Sequence, residues 1–161
     1  GMPPYQPNYD LSLAEPSRAL SRRWIEQPDD DLTVFSPEDI SNIPSILVRE
    51  VLSELYLAEP PISLVKVKHL EQVYSFNQVL NSEIRIRWLR LCVKVKWEDS
   101  IPYALKFLNE QGRMRFVRPL YRDLNAWDLA RSQAIANFIA HRPEMHTTTA
   151  GLLAKDLKLE V

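Results

Sequence analysis

The sequence predicts an all-α fold, with antiparallel helix pairs stacked as an α-α superhelix of the armadillo or HEAT kind. Three observations point there. Glycine is scarce, three in 161 residues, and the twelve prolines fall mostly between apolar segments rather than inside them. Within those segments the apolar residues recur at the spacing of one helical face. Several segments also open on a hydroxyl or amide cap with proline or an acid in the first turn, which satisfies orphan amides and suits the positive end of the helix dipole. No exact internal repeat is visible, so the stacking is read from segment length and short turns alone.

The first helix is expected from Leu13 to Glu26, with Ala19, Leu20, Trp24 and Ile25 inward, and Gln27-Pro28 before three aspartates ends it. Ser36-Pro37-Glu38-Asp39 is a start signal: a hydroxyl cap, proline at the first helical position, then acids. From Ile43 to Leu57 the pattern turns Ile46, Leu47, Val48, Val51, Leu52 and Leu55 toward a core, until Glu59-Pro60-Pro61 breaks it. A short helix over Val65 to Tyr74 follows.

The string EIRIRWLRLCVKVKW, residues 83–97, fits two patterns. Ile84, Ile86, Val93 and Val95 alternate with cations as in a strand, while Ile84, Trp88, Leu91, Cys92 and Val95 form a helical stripe. Asn81 or Ser82 as cap, Glu83 in the first turn and Lys94 and Lys96 near the end favour the helix. The next helix opens at Asp99 or Ser100, with Pro102 near its first turn and Tyr103, Ala104, Phe107 and Leu108 inward. Gly112 stands where a left-handed C-cap residue belongs. Helices at 115–124, 126–141 and 147–156 complete the chain.

A composition of 45% apolar and 25% charged residues is that of a globular chain able to close one core. The expected organisation is one helical domain over 11–161 behind a proline-rich, extended interdomain linker at 1–10, as if the chain were the interior of a longer protein. A net charge of −1 excludes a globally basic nucleic-acid or membrane-surface binder and confines cations to local patches. No apolar run is long enough to span a bilayer. Cys92 is the one cysteine, which excludes an internal disulfide and suits a reducing, cytoplasmic setting.

The chain carries no recognisable catalytic set. No Gly-x-Ser-x-Gly, phosphate loop or dinucleotide fingerprint occurs, and Cys92 lies on an apolar stripe without a nearby histidine. His141-Arg142-Pro143-Glu144-Met145-His146 is not His-Glu-x-x-His, and Pro143 breaks the single helical face such a zinc motif needs, so it reads as a loop. His69 stands alone on a helix. The tryptophans and Phe107, Phe116 and Phe138 fall at core spacing, and Arg85, Arg87, Arg90, Lys94 and Lys96 read as a charged helix face with a Glu83–Arg87 pair. The stretch EQGRMRFVRPLYRDL, residues 110–124, differs. Arg113 and Arg115 are expected in the turn after Gly112, ahead of Arg118-Pro119, where guanidinium forks could converge on a carboxylate. Surface charge and interdomain ion pairing remain alternatives for the same cluster.

The strings NSEIRIRWLRLCVKVKWEDSIPYALKFLNEQGRMRFVRPLYRDL, PPYQPNYDLSL, RRWI and PEMHTTTAGLLAKDLKLEV closely resemble the C-terminal domain of the leukotriene A4 hydrolase family, which includes the aminopeptidase B and aminopeptidase O types. The resemblance covers nearly the whole chain. It implies a helix over 83–96 and an all-helical domain behind a β-rich N-terminal domain and a thermolysin-like catalytic domain of the same polypeptide. It further implies zinc held by a His-Glu-x-x-His motif and a later glutamate that this chain lacks, so that the chain alone should be inactive. The Gly-Arg-Met-cation motif gives Arg113 the role of anchoring the carboxylate of a short peptide or lipid substrate. Arg115, where the family usually has lysine, would assist with altered donor geometry. Epoxide hydrolysis in the full-length enzyme is implied by the resemblance only. The contrasting reading is a noncatalytic helical-repeat module whose arginines bind an acidic partner.

Overall fold

The computed structural model describes residues 9–111 and 113–159, with the backbone alone over 9–14. The helices are α1 (Tyr9–Glu26), α2 (Glu38–Ser41), α3 (Ser45–Leu57), α4 (Leu64–Tyr74), α5 (Ser82–Lys94), α6 (Ile101–Glu110), α7 (Met114–Asn125), α8 (Asp128–His141) and α9 (Thr147–Asp156). Tight 3-10 turns lie at Phe76–Gln78, Glu98–Ser100 and Arg142–Glu144, and among the described residues there is no strand. The all-α expectation holds. The chain divides into two compact units, residues 1–91 and 92–161. The linker expected at 1–10 lies outside the described residues except for Tyr9 and Asp10, which already belong to α1.

In the first unit α1 packs against α3. The buried stripe of α1 is Ser17, Leu20, Ser21 and Trp24, whereas Ala19 and Ile25, expected inward, are exposed. The stripe keeps i, i+3, i+4, i+7 spacing, but two of its members are small hydroxyl residues that let α3 approach closely. Their polarity is met internally: Ser21 Oγ donates to the Glu54 carboxylate of α3. Ile46 of α3 is likewise exposed rather than inward, and Leu47, Val48, Val51, Leu52 and Leu55 form the buried face.

Trp24 is fully buried, with its ring stacked on Phe35 at 3.7 Å and 8°. Its Nε1 donates to the Tyr74 hydroxyl at 3.1 Å, and that hydroxyl donates to Asp39 Oδ2 at 2.6 Å. The expected Ser36 hydroxyl cap is not formed. Instead the Asp39 carboxylate accepts the Ser36 N–H at 3.0 Å, which ties the single turn of α2 to its own entry. A side-chain cap does open α4, where Ser63 Oγ accepts from Lys66 N at 3.2 Å.

The ambiguous string is helical, from Ser82 to Lys94. Asn81 Oδ1 caps it by accepting from Glu83 N at 2.8 Å and Ile84 N at 3.3 Å. Of the expected charged face, Arg85, Arg87, Arg90 and Lys94 are half-buried and Lys96 is exposed, and Arg87 and Arg90 bond to α3. Arg87 Nη1 pairs with Glu83 Oε1 at 2.9 Å and its Nε donates to Ser53 Oγ at 3.2 Å, while Arg90 donates to the Tyr56 hydroxyl at 3.2 Å.

The second unit is organised around α7, which contacts α6, α8 and α9. Phe116, Val117, Leu120, Tyr121 and Leu124 are its buried stripe. Phe116 meets Phe107 of α6 edge to face at 6.4 Å, and Tyr121 meets Phe138 of α8 at 6.1 Å. The small residues Ala130 and Ala134 of α8, and Ala150 and Ala154 of α9, are buried too. Tyr103, expected inward on α6, is 39% exposed, and the residue ending α6 is Gln111 in extended conformation. The C-cap role expected of Gly112 lies outside the described residues.

Candidate functional site

The four arginines of residues 113–122 fall into two pairs set apart by their partners. Arg118 and Arg122 lie one turn apart on α7 and both reach Asp156, the last residue of α9. Arg118 Nε donates to Asp156 Oδ2 at 2.6 Å and its Nη2 to Oδ1 at 3.2 Å, while Arg122 Nη2 donates to Oδ1 at 3.1 Å. The Asp156 side chain is only 7% exposed. The Arg118 hydrogen bond, with that of Arg122 behind it, holds the Asp156 carboxyl below the usual carboxylate range although burial pushes the other way. This pair is structural: it locks α9 to α7.

Arg113 and Arg115 stand at the opposite end of α7. Arg113 is its N-cap, with φ −81° and ψ 122°, and its carbonyl accepts the Phe116 and Val117 amides at 3.0 and 3.1 Å. The Arg113 N–H is in turn taken by Gln111 Oε1 at 3.2 Å, so a side chain from the end of α6 fixes the entry to α7. Arg115, expected in the preceding turn, lies within the first turn of the helix, which begins at Met114. Arg118 and Pro119, expected to lead to the next element, are also inside α7. Both Arg113 and Arg115 are exposed.

The two guanidinium groups share a neighbour. The guanidinium carbon of Arg115 lies 4.3 Å from the Phe116 ring centroid and that of Arg113 lies 5.9 Å from it. Both cations therefore gather about one ring at the end of α7 where the orphan amides and the dipole favour an anion. Chemically this arrangement can take a carboxylate, with planar forks able to bind bidentately.

A cavity of about 310 Å³ lies in the same unit, lined by buried Leu108, Val117 and Leu153 and by the more accessible Gln111, His141 and His146. Neither Arg113 nor Arg115 lines it. The histidines are engaged locally: His141 Nδ1 is 3.0 Å from the Asn137 carbonyl, and His146 Nδ1 accepts Thr148 N at 3.2 Å as the N-cap of α9. The segment between them is a 3-10 turn and loop, as its proline requires.

Sequence reading missed two members of this region and half-read a third. Asp156 had no local signal, since only the packing of α9 on α7 brings it to the arginines. Nothing in the sequence marks the Gln111 side chain as the partner of the Arg113 amide. Phe116 was placed in the core, correctly, but its ring also faces two cations.

A family model described as "Leukotriene A4 hydrolase, C-terminal" matches residues 47–157. The chain is similar to leukotriene A-4 hydrolase of Xenopus laevis, 47% identical over 159 residues, which is 99% of this chain and 26% of that protein. It is also similar to leucine aminopeptidase 2 of Coccidioides immitis, 32% identical over 161 residues, with 98% of this chain and 25% of that protein covered. Among solved structures, yeast LTA4 hydrolase in complex with Bestatin aligns with a TM-score of 0.82 at 26% identity, over 99% of this chain and 28% of that one. The chain thus spans about a quarter of the length of these relatives. It belongs to the leukotriene A4 hydrolase C-terminal domain family, whose relatives include leucine aminopeptidases.

Proposed function

We propose that residues 11–161 act as the C-terminal helical domain of a zinc metalloaminopeptidase, in which Arg113 and Arg115 hold the free carboxylate of a short peptide. The catalytic and N-terminal domains of the same polypeptide would carry the bond-breaking chemistry and complete the cleft that this domain closes. The observation that supports this reading is the placement of two exposed arginines, Arg113 as N-cap and Arg115 in the first turn, at the positive end of α7. Clamping the far end of a substrate fixes how deep its amino end reaches, so binding energy remote from the scissile bond becomes reaction geometry. A fatty-acid epoxide would present the same kind of carboxylate, which makes epoxide hydrolysis the second reaction of this proposal.

The described residues do not fit the zinc. Among them no three His, Cys, Asp or Glu side chains stand together so as to hold a metal ion. The ligands would belong to the catalytic domain, and the isolated chain would be inactive. Among the described residues no helix is long and apolar enough to cross a membrane, and the single cysteine, Cys92, is buried and forms no disulfide. A cytoplasmic setting is part of the same proposal.

The test is Arg113→Ala in the full-length polypeptide, assayed on one tripeptide with a free and with an amidated C-terminus. Loss of a charge-assisted bond of about 1.5–3 kcal/mol lowers kcat/KM for the free acid roughly 10- to 100-fold. The amidated peptide and the melting temperature should change little. Equal losses on both peptides, accompanied by a lower Tm, would reassign Arg113 to structure.

A further inference from the structure

We infer that the cavity of the second unit is a binding site for a small organic ammonium ion with an apolar body, such as an arylalkylamine. Arg113 and Arg115 take no part in it, since neither lines the cavity.

Size and floor set the body of the ligand. A volume of about 310 Å³ stands at the lower end of the roughly 300–1,000 Å³ usual for small-molecule sites, which suits a single ring on a short arm. Leu108 of α6, Val117 of α7 and Leu153 of α9 line it, and all three are buried. An aromatic or branched aliphatic group seated on them leaves water without stranding a polar atom of the protein.

The wall sets the head group. Two carboxylates line the cavity, Glu110 at the end of α6 and Glu144 in the 3-10 turn after α8, and among the described residues no lysine or arginine does. Neither glutamate is ion-paired among the described residues. The histidines add no cation in the state the structure shows. His146 Nδ1 accepts the Thr148 amide, so that ring is neutral while it caps α9. A carbonyl can only accept, so His141 Nδ1 carries the proton it shares with Asn137, and the neutral ring keeps Nε2 as an acceptor. The wall is also braced: the Asn109 and Asn137 amides bond each other in both directions at 3.1 and 2.9 Å, joining α6 to α8. An ammonium group brings a positive charge and several donors to this lining, whereas a carboxylate or phosphate meets two like charges.

The experiment uses the full-length polypeptide and three probes of one shape: a ring-fluorinated phenethylamine, the matching phenylethanol and the matching phenylpropionate. Dissociation constants are read by fluorine NMR at neutral pH. The amine should bind about three- to tenfold more tightly than the alcohol, and the propionate most weakly. Glu110→Gln combined with Glu144→Gln, both at exposed positions, should bring the amine to the affinity of the alcohol with Tm unchanged. Thr149→Trp, which sets an indole into the cavity wall, should weaken the amine and the alcohol together. An amine that binds no better than the alcohol, or that is indifferent to the paired glutamine substitutions and so sits elsewhere on the polypeptide, overturns the inference. Absence of binding by every probe overturns it too, and is the result expected if another part of the polypeptide already fills the cavity.

Discussion

Arg118 Nε donates to Asp156 Oδ2 at 2.6 Å and ties the middle of α7 to the last residue of α9. A carboxylate at a helix C-terminus faces the negative end of that helix's dipole, so it is tolerated only with cations at hand. Here Arg118 and Arg122 supply them. The Asp156 carboxyl is accordingly held below its ordinary value of 3.8, first by the Arg118 hydrogen bond. Because the folded-state pKa is the lower one, the stabilisation is complete above pH 3.8 and is lost as pH falls through the folded-state pKa. Asp156→Asn should lower Tm at neutral pH by roughly 2–4 °C and flatten the acid limb of the stability profile. Parallel Tm-against-pH curves for the two proteins would contradict this.

How much of this was legible in the sequence depended on whether a residue's fate is local. Asn81 capping α5 was legible because a cap acts within one turn, and it correctly outweighed the strand-like alternation of Ile84, Ile86, Val93 and Val95. That alternation arose because α5 buries a broad face, from Ile84 and Ile86 through Trp88 and Leu89 to Val93, and a helix buried widely loses its clean period. Ile25, Ile46 and Tyr103 are expected inward from the helical recurrence of apolar residues and are exposed, while Ser17 and Ser21 take buried places because close helix approach wants small side chains. The arginine cluster was visible as a cluster, but its division into two pairs was not. Asp156 lies far along the chain, and nothing in the spacing of residues 113–122 says which two cations it will claim.

That division predicts unequal tolerance at Arg113 and Arg115. Arg113 is the N-cap, its backbone pinned by Gln111 Oε1 and by the amides of Phe116 and Val117, so its side chain leaves from a fixed point. A lysine there loses the bidentate fork, whereas at Arg115 it keeps the assisting charge. In the full-length polypeptide Arg113→Lys should therefore lower kcat/KM for a free-acid tripeptide by about tenfold or more, and Arg115→Lys by no more than about threefold. Steady-state kinetics on both variants checks this, and the reverse order would move the anchor to Arg115.

The Tyr74 hydroxyl joins two groups that cannot reach each other, accepting from buried Trp24 Nε1 and donating to Asp39 Oδ2. Burial, with the Asp39 bond behind it, pushes the phenol far above its ordinary range, so it stays a donor at every working pH. Tyr74→Phe keeps the ring contacts with Trp24 and Phe76 but strands the indole N–H. The expected cost is about 1–3 kcal/mol, read as a lower urea midpoint with unchanged slope. A midpoint within about 0.5 kcal/mol of the parent protein would show that the hydroxyl contributes little.

Lys66 is a charged residue only 6% exposed, and its position on α4 explains why the fold accepts it. Its ammonium donates to the Ile25 carbonyl at 2.8 Å, in the last turn of α1, and lies 3.8 Å from Asp29. A cation there satisfies an end-of-helix carbonyl and faces the negative end of the α1 dipole. The aliphatic stem can remain in the core while the head reaches these acceptors. Lys66→Met preserves that stem and removes the head, leaving the carbonyl without its donor, and should cost about 1–2 kcal/mol. Lys68→Met, at an exposed position on the same helix, is the control and should stay within about 0.5 kcal/mol. Equilibrium unfolding in urea separates the two, and equal midpoints would mean that the Ile25 contact adds nothing beyond what water supplies at the end of α1.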